Sequence, residues 1–152
     1  MNVFYLENCP MLCAIAHCDK HVVKMILESA QMLSTAIHLK GDFAHLAPTH
    51  QNHPSSVWAR SSRENYEWLC ELAFWLCTEY TYRYGKVHSL QDYIEYLNTK
   101  RFLFEESGFT EPPMAMPDHC KIGNSIESYR YYYKTEKKHL LKYTKRLEPI
   151  WL

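Results

Sequence analysis

The chain has 152 residues and no net formal charge, with 17 Lys and Arg against 17 Asp and Glu. A hydrophobic fraction of 47% excludes a disordered chain and suffices for one buried core. No apolar run approaches the ~20 residues of a membrane-spanning helix, and four glycines are few for a barrel or sandwich of tight turns.

Asn2 to Leu6 alternate loosely and suit a short extended segment. Asn8 and Pro10 then open a helix carrying Met11, Leu12, Ile15 and Ala16 on one face. Val22, Val23, Ile26, Ala30, Leu33 and Ile37 continue at helical spacing; Asp19 either caps a second helix or lies within one continuous helix, and Gly41 is the stop. Residues 41–60, with two prolines and three histidines, read as a long loop. Ser61 or Ser62 caps the next helix, where Tyr66, Leu69, Cys70, Ala73, Leu76, Cys77 and Tyr80 recur at three- and four-residue steps until Gly85. Ser89 and Asp92 resemble a capping box for a helix over roughly 90–103. A second long loop, 105–123, precedes a last helix that starts at Asn124 or Ser125, carries Ile126, Tyr129, Tyr133, Leu140, Leu141 and Tyr143, and ends at Pro149. The expected fold is one all-α domain, 1–152, of four or five helices with two elaborate loops.

The start of the chain lacks a basic region followed by an apolar stretch, so no signal peptide is expected. With no CxxC among the six cysteines, reduced thiols in a cytoplasmic protein are the better reading. Cys9, Cys13, His17 and His21 repeat every four residues, but such a row spans ~18 Å of helix and cannot close on one ion. Neither a metal nor a cofactor is expected.

Three constellations carry chemistry. His21, Lys24 and Glu28 share one helix face, with Lys20 at its N-terminal end: a base, a cation and a carboxylate suited to proton transfer on a bound anion. The segment Thr49 to Arg60 precedes a helix start; there Arg60 can clamp a phosphate, His53 can donate to it and Trp58 can stack on a base, although a tryptophan more often belongs to the core. Finally, Tyr129-Arg130-Tyr131-Tyr132-Tyr133-Lys134, followed by Lys137, Lys138 and Lys142, interleaves rings with cations as a nucleic-acid surface does, and Arg83 and Lys86 add a smaller patch. The neutral total hides this asymmetry. Residues 1–120 hold nine basic and fourteen acidic residues, net −5, and residues 121–152 hold eight and three, net +5.

The blocks HCDKHVVKMILESAQMLSTA, THQNHPSSVWARSSRENYEWL, EYTYRYGKVH and SYRYYYKTEKKHLLKYTKR, with a closing PIWL, resemble a family of small tailed-phage proteins. More distantly, Asp19-Lys20-His21 with Glu28 seven residues on resembles the N-terminal helix of phage pyrimidine-dimer DNA glycosylases of the endonuclease V type. That resemblance implies a DNA-acting enzyme in which His21 helps hold a distorted duplex and Glu28 assists at the sugar. It departs where the glycosylases place arginines, at Leu27 and Gln31 here. Their nucleophile is the amine of a threonine exposed by methionine removal, whereas Met1 here precedes Asn2; Lys20 and Lys24 are the alternative amines. The expectation is an enzyme acting on DNA or nucleotides, with His21, Lys24 and Glu28 catalytic and Lys20, His53, Trp58, Arg60, Arg83, Lys86, Arg130, Lys134 and Lys138 binding phosphate or base. The competing expectation is a non-catalytic module that binds nucleic acid or a host protein.

Overall fold

The computed structural model describes residues 1–152, which form helices and irregular chain but no strand. The helices are α1 (Pro10–Ala16), α2 (Asp19–Leu39), α3 (Pro54–Ala59), α4 (Arg63–Tyr84), α5 (Gln91–Thr99) and α6 (Ser125–Thr135). Single 3-10 turns at Arg101–Leu103, Asp118–Cys120 and Lys138–Leu140 lie outside them. The all-α fold is as the sequence suggests, with six helices in place of four or five.

Local chemistry accounts for the boundaries. Pro10 sits in the first turn of α1, where its missing N–H costs nothing. At the other end of α1, His17 and Cys18 are extended, so α1 and α2 are separate helices. The His17 ring takes up the carbonyl of Cys13 at 2.7 Å, and the Arg83 guanidinium takes those of Ile15 and His17 at 3.0 and 2.8 Å. These partners satisfy carbonyls that a helix end leaves free. Ser62 accepts from the Asn65 N–H at 3.0 Å to start α4, and Gly85, at φ +70°, ends it in the left-handed region that glycine reaches without strain.

Three boundaries differ from the sequence reading. Helix α3 lies inside the segment read as loop; its six residues are too few to show a period, and His53 with Pro54 starts it. The Ser89–Asp92 capping box does not form, and α5 begins after Leu90 without a side-chain cap. The last helix stops at Thr135, fourteen residues before Pro149. Its start is as expected, with Asn124 and Glu127 making both bonds of a capping box. Beyond Thr135 the backbone is spent elsewhere: the Lys142 carbonyl accepts from the Asp19 N–H at 2.8 Å, and the Thr144 N–H donates to the Asp19 carboxylate at 2.9 Å. Tyr143, Trp151 and Leu152 pack against the core from this irregular segment.

Helix α4 packs against α1, α2 and α5. Val3 to Leu6 are all buried, although no strand pairs with them. Phe4 stacks on His21 with ring centres 4.2 Å apart and lies against Tyr129, Tyr132 and Tyr133. The side chain of Asn2 donates to the Ala115 carbonyl at 3.0 Å and accepts from the Tyr129 hydroxyl at 2.8 Å. The first residues are thereby fixed to both α6 and the loop before it.

Candidate active site

Fixing Asn2 places the α-amino group of Met1 beside α2, where it meets Glu28 Oε1 at 2.8 Å. Glu28 lies on the buried side of α2, and its second oxygen, Oε2, is buried without a hydrogen-bond partner. A buried carboxylate oxygen left unpaired costs free energy, and a further donor at this position would recover it. Helix α3 packs on α2 and brings up the other groups. His53 is half-buried, and its Nδ1 accepts from the Ser55 N–H at 3.1 Å, which leaves the proton on Nε2 as a free donor. Desolvation lowers the His53 pKa, the amino terminus and His50 lower it further, and Glu28 acts in the opposite sense. Amine, carboxylate and imidazole therefore sit within electrostatic reach of one another. The hydroxyls of Ser55 and Ser56 and Nη1 of Arg60 are also buried without partners on and just after α3. A groove of about 250 Å³ between α4 and α5, lined by Cys70, Glu71, Phe74, Ile94, Glu95 and Asn98, contains none of these groups.

The residues singled out from the sequence separate into three sets. Glu28 and His53 stand in this cluster, and Arg60 is half-buried just after α3 without a partner there. Lys20 and Lys24 are exposed on α2 and form no ion pair, so Glu28 pairs with the chain terminus and not with Lys24 one turn away. Lys86, Lys134 and Lys138 are likewise exposed and unpaired. The third set is turned inward. His21 is buried, with Nδ1 2.6 Å from the Tyr133 hydroxyl. Trp58 is buried, donates to the Thr110 carbonyl at 2.7 Å and meets Trp68 and Phe109 edge-on, so its faces are not open to a base. Arg130 donates to the Leu6 carbonyl at 2.9 Å, pairs with Glu7 at 2.7 Å and lies over the Trp151 ring. Arg83 is 2% exposed, and its donors are consumed by Asp19, Glu79 and the end of α1. Arg83 thus belongs to the interior and not to the cationic patch expected of it, and Trp58 belongs to the core, as a tryptophan more often does, and not to a base-stacking surface. The α-amine of Met1 is the member that residue patterns could not reveal, because every chain has one and only folding decides what it meets.

No protein-family model, curated protein or solved structure matches the chain. The site therefore has to be interpreted from its own geometry.

Burial also sets the protonation of the histidines. Desolvation, with the charges of His17, Lys137 and Lys24, lowers His21 to about 3. Desolvation lowers His17 to about 4, against its bond to the Cys13 carbonyl. Both are neutral at pH 7, so His21 works as a fixed hydrogen-bonding ring that holds Phe4 and Tyr133, not as a neutral-pH acid. In the unfolded chain an imidazole titrates near 6.5. Below that value the unfolded state binds more protons than the folded one, so stability falls as pH drops from 6.5 towards 4. Each site contributes up to about 1.4 kcal/mol per pH unit within this window. Urea midpoints measured across it are expected to fall, and to fall less steeply in His21→Gln; equal slopes would show that His21 protonates as freely as in the unfolded chain.

Proposed function

We propose that the protein is a DNA-acting enzyme of the glycosylase/lyase class, with the α-amine of Met1 as nucleophile and Glu28 as its acid/base partner. The observation that carries this reading is the 2.8 Å contact between the amine and Glu28 Oε1, with Oε2 unpaired beside it. An amine that displaces a base from its sugar forms an N–C1′ bond as the glycosidic C1′–N bond breaks, and the base leaves with a proton. The sugar ring then opens to an imine, which releases the 3′ strand by β-elimination. Both steps need a carboxylate near C1′ to remove a proton and to protonate the ring oxygen. Met1 is favoured over Lys20 or Lys24 for this chemistry because only its amine stands against the carboxylate, whereas both lysines are exposed and pair with nothing. The cationic rim suits a polyanion: Lys20 and Lys24 project from α2, and Lys137, at the end of α6, is near enough to act on His21. The target base has to leave the duplex stack to present C1′ to a nucleophile held this deeply.

Borohydride trapping tests the reading. Purified protein is incubated with ultraviolet-treated duplex DNA and, separately, with duplex containing one abasic site, and is then reduced. A covalent adduct is expected, mapped by peptide mass spectrometry to Met1, in protein whose intact mass shows a free amino terminus. Protein acetylated at that amine or extended before Met1 is expected to give none. No adduct on either DNA, or an adduct at Lys20 or Lys24, overturns it. A second reading rests on the unpaired lysines Lys134, Lys138 and Lys142, which suit a non-catalytic nucleic-acid module; its signature is salt-sensitive DNA binding without any adduct.

A further inference from the structure

A different cluster lies where the loop 105–123 is sewn to the end of α6. The 3-10 turn Asp118–Cys120 packs on α6 and is closed by an Asp118–Lys121 ion pair at 2.9 Å and by the Cys120 N–H donating to the Pro117 carbonyl at 2.9 Å. It places His119 and Cys120 next to Glu136, the residue that ends α6. His119 Nε2 is 2.8 Å from Glu136 Oε1, and the donor atoms of His119, Cys120 and Glu136 all lie within 4.8 Å of one another. Cys120 is fully buried, and its sulfur has one hydrogen-bond partner, the Thr135 hydroxyl at 3.8 Å. His119 and Glu136 are exposed, so the trio is buried on its sulfur side and open on the other.

We infer that His119, Cys120 and Glu136 form a binding site for a zinc-class divalent ion. The ion sits between three protein donors and keeps a solvent-facing fourth position. The donor set argues for the class of metal. A thiolate and an imidazole select zinc, cobalt or nickel over magnesium and calcium, which take oxygen ligands. Tetrahedral zinc holds sulfur at ~2.3 Å and nitrogen or oxygen at ~2.0–2.2 Å, which puts neighbouring ligand atoms roughly 3.3–3.8 Å apart. The sulfur therefore moves inward by about an ångström, while the His119–Glu136 pair opens by about half of one. His119 and Glu136, both exposed, can close on the buried sulfur by side-chain rotation and so make most of that adjustment. On binding, the Cys120 thiol loses its proton to solvent and the His119 ring is neutral, so affinity rises with pH. The ion ties a turn of the long loop to the point where α6 stops, and so acts as a clamp on an irregular part of the chain. None of this depends on the reaction proposed above.

Cobalt titration of chelator-treated protein reads the site directly. One equivalent of Co2+ is expected to give the intense visible absorption of tetrahedral cobalt with a thiolate-to-cobalt charge-transfer band, and equimolar Zn2+ is expected to bleach both. Cys120→Ser is expected to abolish the charge-transfer band and weaken Zn2+ binding at least tenfold, and His119→Ala and Glu136→Gln, both at exposed positions, to weaken it about tenfold or more. Cys9→Ser, at the one exposed cysteine, is expected to change nothing. Absence of the cobalt spectrum overturns the inference. So does a charge-transfer band that persists in Cys120→Ser, or affinity unchanged in both His119→Ala and Glu136→Gln.

Discussion

Replacing Arg83 with Met is expected to cost about 3–5 kcal/mol of folding stability, because it removes one partner from a buried, hydrogen-bonded charge network. The guanidinium donates to Glu79 at 2.8 Å, to Asp19 at 3.1 Å and to the carbonyls of His17 and Ile15. It thus joins the end of α1, the start of α2 and the last turns of α4 in one group. The C-terminal segment attaches to the same network: Arg146 reaches Glu79 at 2.6 Å, and Thr144 donates to Asp19 through both its N–H and its hydroxyl. Burial alone would raise the Asp19 pKa, but the Thr144 bonds and Arg83 together lower it, so the carboxylate stays charged. Methionine fills the space and leaves two helix-end carbonyls and part of two carboxylates unpaired. In a chain of this size about 1 kcal/mol shifts the melting temperature by ~2–4 °C, so calorimetry is expected to register a loss of roughly 6–20 °C. Arg83→Lys retains the charge but not the planar fork that serves three directions, and is expected to recover only part of the loss. The exposed neighbour substitution Lys86→Met is the control, within about 0.5 kcal/mol of the parent. A parent-like melting temperature for Arg83→Met would show that Thr144 and Arg146 hold the network without it.

The contrast between Arg83 and Lys86 shows what a sequence conveys here. Helix α4 was legible because Tyr66, Leu69, Ala73, Leu76 and Cys77 are buried at the spacing of one helix face, and Ser62 and Gly85 bracket it with local chemistry. The same periodicity does not say which polar residues turn inward. Arg83 is a buried arginine because Asp19 of α2 and carbonyls at the end of α1, all distant in the chain, converge on it beside Glu79 one turn back on α4. The end of α6 was illegible for a related reason: Tyr143 continues a plausible helical spacing, but Asp19, more than a hundred residues away, recruits the backbone of Lys142 and Thr144. In the candidate site, Glu28 stood out through its spacing from His21, yet that spacing joins two residues with different surroundings. His21 is committed to Tyr133 and Phe4, while Glu28 faces the amine. His53 drew notice as part of a polar loop before a helix, and its helix is the short α3 that carries it towards Glu28.

If Glu28 is the acid/base group, Glu28→Gln is expected to slow adduct formation on abasic DNA by about 10²–10⁴-fold, the usual share of a positioned proton-transfer group. Glutamine keeps the shape and can still hydrogen-bond the amine, but it neither accepts a proton from it nor delivers one to the sugar oxygen. DNA affinity is expected to hold or rise, since the change removes a negative charge from the path of a polyanion. That split separates chemistry from binding: a variant that binds and does not react has lost the reacting group, whereas one that has lost both has lost the fold. Circular dichroism and the melting temperature keep the two apart, because the amine–carboxylate contact also tethers the first residue. Glu28→Asp preserves the charge and withdraws it by one methylene. It is expected to react at an intermediate rate, since small misplacements of a reacting group are costly. An adduct that forms on Met1 at the parent rate in Glu28→Gln would reduce Glu28 to a tether for the amino terminus and pass the proton-transfer role to His53, whose Nε2 has no partner and which feels both the amine and Glu28.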